Sequence, residues 1–186
     1  LGLRLLLIKI EDRGLVFFRQ KRCTKNGKVF EILKFRSMIV DAEKGGETIP
    51  CRTGDPRITH VGRVIRKLRI DEFPQIINVL KGDMSIVGPR PERVEHVEAY
   101  TKEIPEFSYR LRVKGGLTGY AQIYGKYNTS PYDKLRLDLQ YIEKQSLLMD
   151  LKLILLTVKI MFVPESTEGF TQKRSEQIAE EARSKR

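Results

Sequence analysis

Cysteine and histidine are scarce in this 186-residue chain, which holds two of each. Cys23 and Cys51 lie in different segments, with neither the CxxC spacing of a metal or redox site nor the density of a disulfide framework. They fit a reducing compartment. His60 and His96 have no Cys or second His at ligand spacing, so a transition-metal site is not expected. The Walker phosphate loop is missing, as is any GxGxxG fingerprint, which argues against a nucleoside triphosphatase or a Rossmann enzyme. There is no RNA-binding aromatic signature, zinc finger or evident helix-turn-helix. No apolar run reaches the ~20 residues that a bilayer-spanning helix needs, and no internal repeat is visible.

What the chain does have is positive charge: 35 Lys and Arg against 24 Asp and Glu give a formal +11. That excess calls for an anionic partner, whether nucleic acid, a phosphorylated small molecule or an anionic membrane surface. The length suits one domain with appendages. "LGLRLLLIKIEDRG", residues 1–14, opens on Leu with an apolar run carrying Arg4 and Lys9 and no cleavage pattern. It reads as the end of a longer hydrophobic element or as an apolar first helix, and the basic stretch that follows favours the former. Residues 15–163 form the main domain, and 164–186 a polar, charge-mixed tail.

Within the main domain, "LVFFRQKR" and "KVFEILKFRSM" are rich in Val, Phe and Ile, and Asn26-Gly27 between them predicts a two-stranded hairpin. Its second arm ends in Lys34 and Arg36. Asp41 to Thr59 lacks periodicity and reads as a long surface loop. Val61, Val64, Ile65 and Leu68 then recur at helical spacing, on a helix that brings Arg66 and Arg69 towards Asp71 and Glu72. Asp71 followed by Pro74 predicts the next helix start, with both carboxylates at its positive end and Gly82 as its stop. "GDMSIVGPRP" reads as a rigid loop or short strand aiming Arg90. The four glycines of "VKGGLTGYAQIYGK" imply sharp turns and a closely approached backbone. Lys134 to Val163 is the longest helical region, with a break near Gln145 to Leu147. Its apolar end suits either a core helix or one lying at a membrane interface. The fold class is α+β, mainly helical with a small β-hairpin.

An Asp-Glu pair at a helix start is ordinarily a cap with a solvated first turn. Here several arginines flank it within a short span, Gly and Pro fix the loop of Arg90, and the hairpin adds Lys34 and Arg36. Arginine forks suit phosphate oxygens, and carboxylates suit a hard cation. Such a set fits phosphoryl transfer on a diphosphate with Mg²⁺, in which positioning and charge neutralisation provide most of the rate and an Asp can attack phosphorus.

From about Leu15 to Phe162, "KFRSM", "RKLRIDEFPQIINVLKGDMSIVGPRP", "GLTGYAQIYGK" and "DLQYIEKQSLLMDLKLILLTVK" occur in the order found in one family. The chain strongly resembles the bacterial sugar transferases that are monotopic polyprenyl-phosphate phosphoglycosyl transferases. The resemblance implies transfer of a phosphosugar from a nucleotide diphosphate sugar, usually a UDP-sugar, to undecaprenyl phosphate, with UMP released and Mg²⁺ required. It makes Asp71 the nucleophile, Asp71 and Glu72 the catalytic and metal-binding pair, and Arg66 and Arg90 phosphate ligands. Lys34 and Arg36 are assigned to the acceptor phosphate or the membrane side. It further implies an N-terminal re-entrant membrane helix, of which 1–14 would be the remnant, and a place at the cytoplasmic face of the bacterial inner membrane. The competing readings are a basic nucleic-acid- or anionic-lipid-binding module without catalysis and a fragment inactive for want of its membrane helix. Salt-dependent binding that survives loss of Asp71 and Glu72 would favour the module.

Overall fold

Asn26 and Gly27 adopt φ angles of 58° and 73°, the left-handed region these two residues enter most readily, and reverse the chain between two strands. β1 (Phe17–Cys23) and β2 (Val29–Phe35) pair as the expected hairpin. The Thr24 amide donates to the Lys28 carbonyl at 2.9 Å to close it. Along β2, Phe30 and Ile32 are buried and Val29 and Glu31 exposed, so the two-residue period carries Lys34 onto the inward side.

The computed structural model describes residues 8–9, 11, 14–42, 51, 54–125 and 129–161. Most of the expected membrane remnant at 1–14, the middle of the 41–59 loop and the whole 164–186 tail lie outside them. The single domain expected from length is organised as two compact units, the first drawn from Leu1–Phe17 and Phe35–Asp71, the second from Phe18–Lys34 and Glu72–Val163.

The first unit is built on α1 (His60–Lys67). Thr59 Oγ1 accepts the Gly62 amide at 2.9 Å, and the Glu11 carboxylate accepts the His60 and Val61 amides at 2.7 and 3.1 Å. Those bonds satisfy donors that a helix start leaves unpaired. Ile65 packs with Ile8 and Phe35 in a small core edged by Val16, Val61 and Ile70. A Cβ on Gly62 would meet the Ser37 carbonyl oxygen at 2.0 Å, so only glycine lets the helix lie this close to that chain. Of the expected apolar face, Val64 and Leu68 remain exposed. The helix ends where Arg69 takes φ 52°, a left-handed position usually given to glycine, and the chain turns into the short 3-10 turn Ile70–Glu72.

The second unit contains α2 (Gln75–Leu80), β3 (Ser85–Val87), α3 (Val94–Glu103), a 3-10 segment Pro105–Arg112, β4 (Gly116–Thr118), α4 (Tyr120–Tyr124), α5 (Pro131–Lys144) and α6 (Leu147–Met161). β3 and β4 pair in parallel, Ser85 opposite Gly116 and Val87 opposite Thr118. The close approach expected of the glycine-rich block comes from the chain itself. A Cβ on Gly116 would sit 2.1 Å from the Gly88 nitrogen, and one on Gly119 would sit 2.1 Å from the Gly88 oxygen. Val87, Tyr141 and Leu153 form one core; Phe30, Ile32 and Met84 form another. The break expected near Gln145 falls between α5 and α6, where Ser146 Oγ accepts the Met149 amide. On α6, Leu153 is buried while Leu147, Leu148, Leu151, Leu155 and Val158 are exposed. No helix among the described residues is long and apolar enough to cross a membrane.

α2 differs from expectation in two ways. It starts at Gln75 after Pro74, so Asp71 is not its cap; the carboxylates sit in the preceding 3-10 turn. Its polarity is also inverted: Gln75 and Asn78 are 1% and 2% exposed, whereas Phe73, Ile76, Ile77 and Leu80 face outward, Leu80 at 82%. The inverted helix is possible because Asn78 finds backbone partners inside.

Candidate active site

In the second unit, Asn78 fixes α2 to β2 by imitating a strand. Its Nδ2 donates to the Glu31 carbonyl at 2.8 Å, and its Oδ1 accepts the Leu33 amide at 3.0 Å. The next residue along β2 is Lys34, whose Nζ lies 2.9 Å from Glu72 Oε1. Arg90 Nη2 reaches the same oxygen at 2.5 Å, so two cations from separate segments converge on one carboxylate atom. Both hydrogen bonds fall on Oε1. Burial alone would raise the Glu72 carboxyl; Arg90 and then Lys34 outweigh it and hold the group well below the usual carboxylate range. Glu72 is therefore ionised at neutral pH.

Arg90 sits in a segment supported by a buried charge network that the sequence reading did not single out. Arg110, on the 3-10 segment, is 2% exposed; its Nε and Nη2 lie 3.0 and 2.7 Å from Asp138 Oδ2, and Nη2 also donates to the Arg90 carbonyl at 2.9 Å. Glu92 takes Lys134 at 2.5 Å and lies 3.7 Å from Arg110 Nη1. Burial opposes the Glu92 charge, but His96, Lys134 and Arg110 together hold it far below the ordinary range. Asp138 goes the other way: burial pushes it up against the pull of Arg110. One signal was available in the sequence. Asp138 interrupts an apolar helix face that runs through Leu135, Tyr141 and Ile142. Gln75, three residues beyond Glu72, is also fully buried, with neither amide atom hydrogen-bonded among the described residues.

The remaining expected site residues belong to the first unit. Asp71 closes that unit, half-buried in the 3-10 turn, one peptide bond before Glu72. Arg66 is half-buried on α1, where its charge acts on the thiol of Cys51; burial nonetheless raises that thiol. Arg36 Nη2 points to the Ile8 carbonyl at 3.4 Å. The structure thus brings Lys34, Glu72 and Arg90 together and gives Arg36 a backbone partner within its own unit.

Among the described residues no three His, Cys, Asp or Glu side chains cluster as a self-sufficient metal cage. Asp71 and Glu72 are consecutive in the sequence, and carboxylates are the ligand type of Mg²⁺, which typically takes one or two of them and completes its octahedron with water and substrate phosphates. They do not suit a soft transition metal.

The model of the family described as bacterial sugar transferase matches residues 1–164. The chain belongs to the bacterial sugar transferases. Among curated members, this sugar transferase is 45% identical over 156 residues to a UDP-N-acetylgalactosamine-undecaprenyl-phosphate N-acetylgalactosaminephosphotransferase of Aeromonas hydrophila, covering 82% of the chain and 37% of the relative. It is 42% identical over 166 residues to a UDP-glucose:undecaprenyl-phosphate glucose-1-phosphate transferase of Caulobacter vibrioides, covering 87% and 62%. An Escherichia coli protein of the same name is 43% identical over 163 residues, covering 85% and 35%. The chain thus spans between about a third and three fifths of the length of these relatives.

Proposed function

We propose that this chain is the catalytic part of a polyprenyl-phosphate phosphoglycosyl transferase, which moves a phosphosugar from a UDP-sugar to undecaprenyl phosphate at the cytoplasmic face of the inner membrane and so starts a surface glycan. The observation that carries the proposal is the convergence of Lys34 and Arg90 on Glu72, one residue after Asp71, in a chain of this family.

Asp71 is the nucleophile. Its carboxylate attacks the sugar-bearing phosphorus, a new oxygen–phosphorus bond forms, and the bond from that phosphorus to the bridging oxygen breaks to release UMP. An oxygen of undecaprenyl phosphate then attacks the phosphosugar-aspartyl group, and Asp71 leaves as a carboxylate. Arg90 and Lys34, already gathered at Glu72, hold the phosphate oxygens, with Arg66 and Arg36 as the further phosphate-binding cations. Asp71 and Glu72 would hold Mg²⁺, whose charge neutralises the diphosphate. Ionised Glu72 supports that role, since a protonated carboxyl is a poor ligand for a hard cation. The outward Phe73, Ile76, Ile77 and Leu80, and the outward leucines of α6, favour contact with a lipid surface, because water would not select such faces.

The test is intact mass spectrometry of the chain incubated with UDP-glucose or UDP-N-acetylgalactosamine and Mg²⁺. A gain of one phosphosugar, accompanied by UMP and lost in Asp71→Asn, is expected. Full UMP release by Asp71→Asn in the presence of undecaprenyl phosphate would sink the aspartyl mechanism.

A further inference from the structure

Pro89 and Pro91 have no backbone N–H, so the segment carrying Arg90 cannot be held by a ladder of its own amides. It is held through its carbonyls instead. Four consecutive carbonyl oxygens each accept from a different donor elsewhere in the second unit. Pro89 O takes the Gly116 amide at 2.9 Å, Arg90 O takes Arg110 Nη2 at 2.9 Å, Pro91 O takes Arg22 Nη1 at 3.0 Å, and Glu92 O takes the Cys23 amide at 2.9 Å.

Two of these donors are guanidinium side chains. Arg110 is almost fully buried and anchored by Asp138, 1% exposed; Arg22 projects from β1 at a half-buried position. Each fixes a backbone atom at or beside Arg90, whose own guanidinium goes to Glu72. A guanidinium can place a hydrogen-bonding fork on a carbonyl while a carboxylate holds its other edge, whereas a lysine ammonium is a point donor on a flexible stem. The geometry points to Arg110, secured by Asp138, and Arg22 as positioning residues that orient Arg90, and through it the phosphate-holding set. The positioning can be tested without any substrate; its consequence for a diphosphate rests on the function proposed above.

The experiment follows the Arg90 side chain directly. In ¹⁵N NMR of the full chain, with the Arg90 Nε–H signal assigned by its loss in Arg90→Lys, Arg110→Lys is expected to speed hydrogen exchange at that signal at least about tenfold. Signals of the β1–β2 hairpin should keep their positions. Arg22→Lys, at the half-buried clamp, should do the same and decides the matter if Arg110→Lys does not fold. In parallel, UDP binding with Mg²⁺ is measured by calorimetry. Arg110→Lys should weaken it about tenfold, the value of one charge-assisted hydrogen bond, and should add nothing in an Arg90→Gln background. An unchanged Arg90 signal in a folded variant, or losses that simply add, would overturn the assignment and leave Arg110 a purely structural residue. Failure of the unsubstituted chain to bind UDP would instead overturn the proposed function, with the Arg90 exchange rates still deciding the positioning role.

Discussion

Asn78 Oδ1 accepts the Leu33 amide at 3.0 Å, so the side chain of a helix completes the hydrogen bonding of a strand one residue before Lys34. This bond, with its partner to the Glu31 carbonyl, makes the place of Lys34 depend on α2. Asn78→Ala leaves one buried donor and one buried acceptor unmet. It should cost about 2 to 4 kcal/mol, measured by urea unfolding. Asn78→Asp retains the acceptor and loses the donor, and its charge must be buried; it should not recover the loss.

Removing Asp138 leaves the Arg110 charge buried without its carboxylate. Asp138→Ala should therefore destabilise the chain by about 3 to 5 kcal/mol, read as a lowered midpoint in denaturant. A change of under about 1 kcal/mol in the same measurement would contradict the buried pair.

Acid should weaken the fold chiefly through Glu72 and Glu92. Both have folded pKa values depressed below the ordinary glutamate value of about 4.3, so their stabilisation is complete above that value and is lost as pH falls towards the depressed folded values. Asp138, raised by burial, has the opposite sign: it favours the fold when protonated, and that contribution disappears as pH rises through its folded value. With two depressed groups against one raised, unfolding free energy should drop on acidification below about pH 4. Arg90→Gln should flatten the drop, because Glu72 then loses the main positive charge that stabilises its carboxylate.

The outward face of α2 lets the proposed lipid contact be tested apart from folding. Ile76→Ser and Leu80→Ser touch outward positions and should leave unfolding free energy within about 0.5 kcal/mol. The same changes should reduce sedimentation with phosphatidylglycerol vesicles. Equal vesicle binding by variant and parent would remove this face from the membrane-contact proposal.

Gly116→Ala should be poorly tolerated for a local reason. The added Cβ, fixed in place by its own backbone, would meet the Gly88 backbone nitrogen at 2.1 Å, and neither atom can rotate away. A loss of about 1 to 3 kcal/mol, the usual cost of overpacking, is expected in thermal or urea unfolding.

Local signals in the sequence carried much of this architecture. Asn26-Gly27 marked the hairpin because two positive φ angles in succession leave few residue choices. The 61–68 periodicity marked α1, and the break near Gln145 separated α5 from α6. Asp71 misled as a cap, because the left-handed turn at Arg69 adds a 3-10 turn before the helix, and no local rule requires a non-glycine there. The inward face of α2 was hidden for a different reason. Asn78 is buried only because β2 offers it two backbone groups across 45 and 47 residues of sequence, a pairing that periodicity does not encode. The convergence of Lys34 and Arg90 on Glu72 could be suspected from their types, but 38 and 18 residues of sequence separate them from it, and their meeting is a tertiary outcome.

The carbonyl clamp around Arg90 also has a kinetic meaning. Its donors lie far along the chain: Arg22 is 69 residues from Pro91, and Arg110 is 20 residues from Arg90. Contacts of such separation form late, since chain closure over long loops must precede them. During refolding, competence to hold a diphosphate should therefore lag behind helix formation. It should appear only when the hairpin and the segment around Arg110 have both docked. In this fold Arg90 is expected to be among the last residues to be made rigid.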